Sequence, residues 1–497
     1  MRDALELVFS NFVSLAGATL GKKEMSRLKA RMVYLNESIE LHSKIDELEK
    51  TREFQCLLDT TFSVFVVDGY HGKSKPFWEP AVRNFFRQSS CYIDIFEGRN
   101  VNTDSLMVKY REAFQRRQIK RTYLVPLDGV RFNEQHVACG FFHIQRFTPD
   151  ELATLFNNRV RNEFYEWTKA DVDRLQRYWF LSLTEELPSR KLRFDIDWSS
   201  FDRVEVKYTN YPMPVEKAFQ LLATYHWRAE WWKKSDPAEE KGCLGFNVPI
   251  VVHIDDDLLA YPGPAPDLSL FEPWTPISGM VMDPETGEQV NEEVGEEPVF
   301  WIDLGERETE MFKTMMQRLG PIANTVRAKK VDWPFVEVAL GFLVKAFFSK
   351  GLEQLLWNIT VLEALLGEKG QGVEGRLARR IALILGKTAE ERKAIVKQFK
   401  ELYEIRSDLV HGKPLKEVDQ RHLLVARQLA RQVVIWFFHY LYYIQTTVGA
   451  RVPAVQLPTR DGLLMLLNLE DDRTALGVVL SSMPGEFPNI PEWGEQT

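Results

Sequence analysis

From Arg307 to Thr446, apolar residues recur every three or four positions with few interruptions. That is the period of amphipathic helices sharing a core. The pattern predicts helices over about 307–329, 335–350, 352–367, 373–385, 389–411 and 416–446. Their breaks fall at Gly320-Pro321, Pro334, Gly351, Gly367 to Gly372, Gly386 and Gly412 with Pro414, the residues that stop helices. The last of these helices carries Val433-Val434-Ile435-Trp436-Phe437-Phe438, apolar nearly all round. Such a helix must be buried in its own bundle or against another chain.

The pattern before residue 300 is different. Short β-rich runs appear at Phe62 to Val67, Tyr92 to Phe96, Thr122 to Leu127, Val137 to Phe147, Leu192 to Trp198, Val204 to Tyr208 and Ile250 to Ile254, bounded by turn formers. Helical stretches interrupt them at Asp150 to Phe180 and Val215 to Trp232. The expected fold class is therefore α+β: an N-terminal mixed region with a largely antiparallel sheet, then an all-α C-terminal bundle. The segments are read as a helical stretch 1–50, an α+β sensing or recruiting domain 51–259, an acidic proline-rich connection 260–304, a helical domain 305–447 and a tail 448–497. The long proline-bearing stretch Ala260 to Pro298 reads as irregular.

Charge sharpens this division. The net charge is −8, so the whole molecule is not a basic nucleic-acid coat. From Val251 to Glu310 there are 16 Asp or Glu and a single Arg, whereas Gly351 to Ala450 has 15 Lys or Arg against 11 acids. The helical third can therefore accept nucleic acid, and the acidic segment beside it invites a reading in which acids cover the RNA path. No glycine-rich phosphate loop follows any predicted strand, which argues against a nucleotide-binding domain. Cys56, Cys91, Cys139 and Cys243 form no C-x-x-C pair, so no zinc ribbon is signalled. The first residues carry acids where a leader needs an apolar run, and no stretch reaches the roughly 18 apolar residues of a spanning helix. The expectation is a cytoplasmic protein that does not enter a membrane.

The chemistry concentrates in Tyr403-Glu404-Ile405-Arg406-Ser407-Asp408-Leu409-Val410-His411-Gly412. Thr388-Ala389-Glu390-Glu391 has the form of a capping box, so a helix should start there, and Gly412 should end it. On a wheel of about 100° per residue, Arg406 falls inside the stripe of Ile395, Phe399, Leu402, Ile405 and Leu409. A charge on that face must be paired or line a cleft. Glu363, inward on the preceding stripe of Leu352, Leu355, Leu356, Ile359, Leu362 and Leu366, is a candidate partner, with Arg406, Arg376, Arg379 or Arg380 as its cation. His411 lies about 140° from Arg406 on the wheel, and a helix ending there leaves its ring free to turn back. Arg holds phosphate and His moves protons near neutral pH. So short a spacing recurs by chance; Arg131 to His136 repeats it without helical context.

The ordered series Gly351-Leu352-Glu353-Gln354-Leu355-Leu356, Val361-Leu362-Glu363-Ala364-Leu365-Leu366, Arg376-Leu377-Ala378-Arg379-Arg380-Ile381-Ala382 and Ile405 to Gly412 resembles the HEPN superfamily, most closely its Apea-like branch. The resemblance covers roughly residues 330–447. It implies a helical bundle that forms a homodimer, with two Arg-x4-His motifs facing each other, and a metal-independent RNA endonuclease in toxin-like, abortive-infection or anti-phage systems. It implies Arg406 and His411 as catalytic residues, with Ser407, Asp408 and Glu363 as polar support. It implies RNA, transfer RNA included, as substrate, a phage-derived trigger, and neither cofactor nor metal. The residue after the motif arginine is commonly Asn or Asp in that family, whereas here it is Ser407, with Asp408 next. The alternative is a non-catalytic HEPN-type binding or dimerisation module. Two other clusters compete. His253-Ile254-Asp255-Asp256-Asp257 is of a type that ligates divalent cations or simply forms an acidic turn. Trp227, Trp231 and Trp232 beside Lys233 and Lys234 suit either base stacking or packing.

Overall fold

The computed structural model describes residues 2–20, 43–65, 75–96, 98–155, 175–176, 178–188, 211–227, 246, 248, 251–259, 275–282, 289–297, 302–327, 334–368, 370, 372–413, 418–443 and 460–469. The chain is mixed α+β, with helices before, between and after the strands.

Helices α1 (Arg2–Leu20), α2 (Arg52–Phe65), α3 (Lys75–Gln88), α4 (Cys91–Phe96) and α5 (Thr103–Gln115) form the first unit. Phe9 and Phe12 of α1 pack on Phe54, Phe85, Phe86 and Tyr110, so the core runs across the boundary expected near residue 50. Two strand expectations fail here. Phe62 to Phe65 lies in α2 and Tyr92 to Phe96 in α4; Val66 and Val67 lie outside the described residues. In α2, Phe54, Leu57, Leu58, Thr61 and Phe65 are the buried positions. This helical stripe against an aromatic core outweighs a local β-branched run.

The sheet follows as β1 (Gln118–Leu127), β3 (His136–Ala138), β4 (His143–Gln145), β5 (Trp179–Pro188) and β6 (Val252–Asp255), in the order β3-β4-β5-β1-β6. Every pairing in it is antiparallel, as expected. Alternation divides its side chains. Tyr123, Val125, Leu127, Leu181 and Leu183 join the largest core, whereas Leu124 and Phe180 pack with Leu152 of α6 (Pro149–Leu155) beneath the other face. The helical expectation for 150–180 is corrected at its end, where Trp179 and Phe180 begin β5. Leu192 to Trp198 and Val204 to Tyr208 lie outside the described residues. The second helical expectation for this region begins as α7 (Met213–Leu222).

A larger correction concerns Ala260 to Pro298. This stretch contains an antiparallel hairpin, β7 (Thr275–Met282) with β8 (Gln289–Glu297), bulged between Ile277 and Ser278. Its acids and prolines hide the strand signal. Further on, β9 (Ile302–Leu304) pairs in parallel with β2 (Val130–Phe132).

The C-terminal region is helical where expected: α8 (Glu306–Arg327), α9 (Pro334–Phe348), α10 (Gly351–Leu366), α11 (Val373–Leu385), α12 (Ala389–Val410) and α13 (Gln420–Tyr443). Pro321 does not break α8. Val433 to Phe438 of α13 are all buried within this chain, so their apolar character needs no second copy to cover it. In the tail, α14 (Arg460–Leu469) packs back through Leu463, Leu464 and Leu467. One buried cation locks that return. Arg380 is 1% exposed and donates to the Leu366 carbonyl at 2.5 Å, Glu368 at 2.5 Å and Asn468 of α14 at 3.0 Å. Among the described residues no helix is long and apolar enough to cross a membrane.

Candidate functional site

Helix α12 starts and stops where its sequence dictates. The Thr388 hydroxyl accepts from the Glu391 amide at 3.1 Å, and the Glu391 carboxylate accepts from the Thr388 amide at 3.2 Å, a complete capping box. At the other end His411 is the C-cap residue. The Gly412 amide donates to the Leu409 carbonyl at 3.2 Å and the Lys413 amide to the Asp408 carbonyl at 2.9 Å, while Gly412 takes φ +65°. Those two bonds and the left-handed glycine make a Schellman end. Lys413 closes it by pairing with the Asp408 carboxylate at 3.1 Å. Asp408 is thus occupied in terminating the helix. Ser407 is partly buried, and His411 stands exposed.

Arg406 sits on the inward side of the same helix. Its side chain is 28% exposed and that of Glu363 is 23% exposed; they are joined at 3.3 Å across α10 and α12. Among the four arginines open to Glu363, Arg406 is thus its partner, while Arg376 and Arg380 turn to Glu368. The Arg406 guanidinium also lies 5.5 Å from the Tyr403 ring centre, within range of a cation–π contact. The Tyr403 pKa is raised by burial first and then by the Glu363 charge, with Arg406 opposing. Tyr403 was not anticipated from the sequence, although it lies three residues before Arg406, on the same side of the helix. The site is therefore a Tyr403–Glu363–Arg406 cluster half-open to solvent, and one turn further on an exposed imidazole.

Within one copy, no hydrogen bond or ion pair joins Arg406 to His411 among the described residues. Helix geometry separates them by about 140° around the axis and about 7.5 Å along it. The arrangement can grip an anion at Arg406 and exchange protons at His411, on two different sides of α12.

The competing clusters are engaged elsewhere. Arg121 binds both oxygens of Asp255, at 2.6 and 2.7 Å, Arg116 holds Asp256 at 2.8 Å, and Asp257 accepts from the Leu259 amide at 2.9 Å. The acidic turn is a joint between β6, β1 and α5. Among the described residues no group of three or more His, Cys, Asp or Glu side chains is placed to hold a metal. Trp227 is buried, donates to the Leu222 carbonyl at 2.8 Å and packs against Phe246 and Phe312, so it is a core residue and not a stacking platform. Trp231 and Trp232 lie outside the described residues. Arg131 and His136 fall on separate strands, β2 and β3.

Comparison with family models, with curated proteins and with solved structures finds no match for this chain.

Proposed function

We propose that the helical region is a HEPN-type, metal-independent RNA endonuclease whose active site is completed by a second copy of the chain. The observation that carries this reading is the conjunction on α12: a half-open arginine braced by Glu363 and Tyr403, and an exposed histidine fixed by a Schellman end. Because one copy turns these two groups to different sides, an arginine from one copy and a histidine from the other must meet, which makes the homodimer part of the mechanism.

In the proposed reaction the ribose 2′-hydroxyl attacks the adjacent phosphorus. His411 takes the hydroxyl proton or delivers one to the departing 5′-oxygen. Arg406 stabilises charge on the non-bridging oxygens. Ser407 orients the phosphate. The P–O5′ bond breaks, leaving a 2′,3′-cyclic phosphate and a 5′-hydroxyl, and DNA resists because it has no 2′-hydroxyl. The setting proposed is an anti-phage, abortive-infection or toxin-like effector, with the N-terminal units receiving the trigger.

One observation favours a second reading, a non-catalytic HEPN-type module: Arg406 already carries a counter-ion in Glu363, which weakens it as a phosphate clamp. The test is cleavage of cellular RNA by purified dimer in excess chelator, with sequencing of RNA ends. Cyclic-phosphate ends that vanish in His411→Ala support the nuclease. Cleavage that persists in His411→Ala, or its absence from a trigger-activated dimer, sinks it.

A further inference from the structure

The exposed side of α12 has a chemistry of its own. At about 100° per residue, Lys393, Lys397, Lys400, Glu404, Ser407 and His411 fall within about 40° of one line. Lys393, Lys397, Lys400, Glu404 and His411 are exposed. The line runs about 27 Å from Lys393 to His411.

The three lysines differ from the other cations of the helix. Arg392 donates to the Gly386 carbonyl and Arg406 pairs with Glu363. Lys393, Lys397 and Lys400 make no ion pair among the described residues. A lysine on an exposed helix ordinarily leans on an acid four residues on. For Lys397 that acid is Glu401, which pairs instead with His422 of α13 at 3.3 Å; for Lys400 it is Glu404, which lies on the same exposed line. Lys393 has Lys397 at that spacing, a like-charge neighbour that costs the helix a few tenths of a kcal/mol. A solubilising face would not need this arrangement, whereas a face that meets a polyanion gains from it.

We propose that this face of α12 is a track for the phosphate backbone of single-stranded RNA, gripped at Lys393, Lys397 and Lys400 and leading along the helix to His411. The inference rests on the nuclease reading for its choice of RNA. Three lysines read charge and not sugar, so the track itself accepts DNA as well; discrimination belongs to the 2′-hydroxyl at the reacting phosphate. Glu404 lies between Lys400 and His411, so the strand crosses that turn without a cationic contact. Substrate length then matters. A strand reaching back over the first three turns of the helix is held, and a shorter one is not.

The experiment uses the full chain carrying His411→Ala, so that RNA stays intact, with a fluorescein-labelled single-stranded RNA 20-mer read by anisotropy from 50 to 300 mM salt. Lys393→Gln, Lys397→Gln and Lys400→Gln together should weaken binding at least about tenfold at low salt. They should also flatten the slope of log K against log salt by about 2, as expected for three lost phosphate contacts on a single strand. A DNA 20-mer of the same sequence should compete with the RNA on the protein with its lysines intact. With His411 restored, cleavage of the 20-mer should suffer through KM. Circular dichroism checks that the triple variant keeps its helices, since Gln is nearly as good a helix former as Lys. Unchanged affinity with an unchanged salt slope would overturn the track. If the lysines govern binding but no RNA is ever cut, the nuclease reading fails and the track stands. If RNA is cut through His411 with the triple variant as effective as wild type, the reverse holds.

Discussion

Lowering the pH from 7 to 5 should cost this fold about 2 kcal/mol through one side chain, His439. It sits on α13, 5% exposed, and its pKa is pushed from 6.5 down to about 4, by burial first and by the Arg318 charge second. In the unfolded chain the imidazole takes up a proton as the pH drops through 6.5; in the folded chain it does so only near pH 4. The unfolded state binds more protons throughout that window, so stability is present above 6.5, is lost as the pH falls, and levels off below 4. The whole window is worth about 3 kcal/mol, most of which is spent by pH 5. Other groups titrate in the same range. Burial raises the Glu49 carboxyl, which acts with the opposite sign. The measurement is therefore a paired one: urea unfolding of wild type and His439→Leu at pH 7 and pH 5. Whatever His439→Leu costs through packing appears at both pH values and cancels. Wild type should lose about 2 kcal/mol more than the variant between the two. An equal loss in both proteins would refute the assignment of a buried, neutral imidazole at this position.

Three further outcomes follow from the C-terminal region. Arg380→Met strips the hydrogen bond from the Leu366 carbonyl and the tie to Asn468, at a cost of about 1–3 kcal/mol for the orphaned carbonyl; hydrogen exchange should speed up in α14 before it does in α13. Glu363→Gln removes the carboxylate that helps raise the Tyr403 hydroxyl, so the Tyr403 pKa should fall, which 13C-labelled tyrosine NMR reads directly; the fold should survive, since half-exposed pairs contribute about 1 kcal/mol or less. Gly412→Ala places a side chain at φ +65° with nothing within 4 Å to clash, so the cost is the left-handed backbone alone, about 1–2 kcal/mol; any RNA cleavage should drop with it, because that turn fixes His411.

The bundle was readable because its signals are local and concordant. In α12 the capping box, the apolar period and the glycine stop all point to the same helix, and consistency of that kind specifies structure. The failures have an equally physical pattern. In α2 and α4 short β-branched and aromatic runs suggest strands, yet the residues they bury are chosen by a core assembled from α1, α3 and α5, partners that no local window contains. In β8 the four carboxylates of Asn291-Glu292-Glu293-Val294-Gly295-Glu296-Glu297 look like linker, and only pairing with β7 makes them a strand. A deletion of 283–297 therefore would remove β8 rather than trim a loop, and could not test whether the acids act as a cover.

For the site, the wheel located Arg406 on the inward side and named Glu363 among its partners, because a charge in an apolar stripe demands a counter-charge. It did not yield Tyr403, whose ring lies against the Arg406 guanidinium. It gives the offset of about 140° only for a helix that continues; a helix ending at His411 leaves the ring free to turn back toward Arg406, and among the described residues no hydrogen bond or ion pair joins the two. Arg406 is braced toward α10, whereas His411 shares its side with Lys393, Lys397 and Lys400. A single copy thus sets Arg406 and His411 roughly 140° apart around the helix. The proposed two-copy site requires that the arginine and histidine acting on one phosphate come from different copies. Mixing inactive Arg406→Ala with inactive His411→Ala should then restore cleavage in the heterodimer, which would retain one intact arginine–histidine pair. Failure to restore any activity in a mixture shown to exchange subunits would mean that the arginine and histidine acting on one phosphate do not come from different copies.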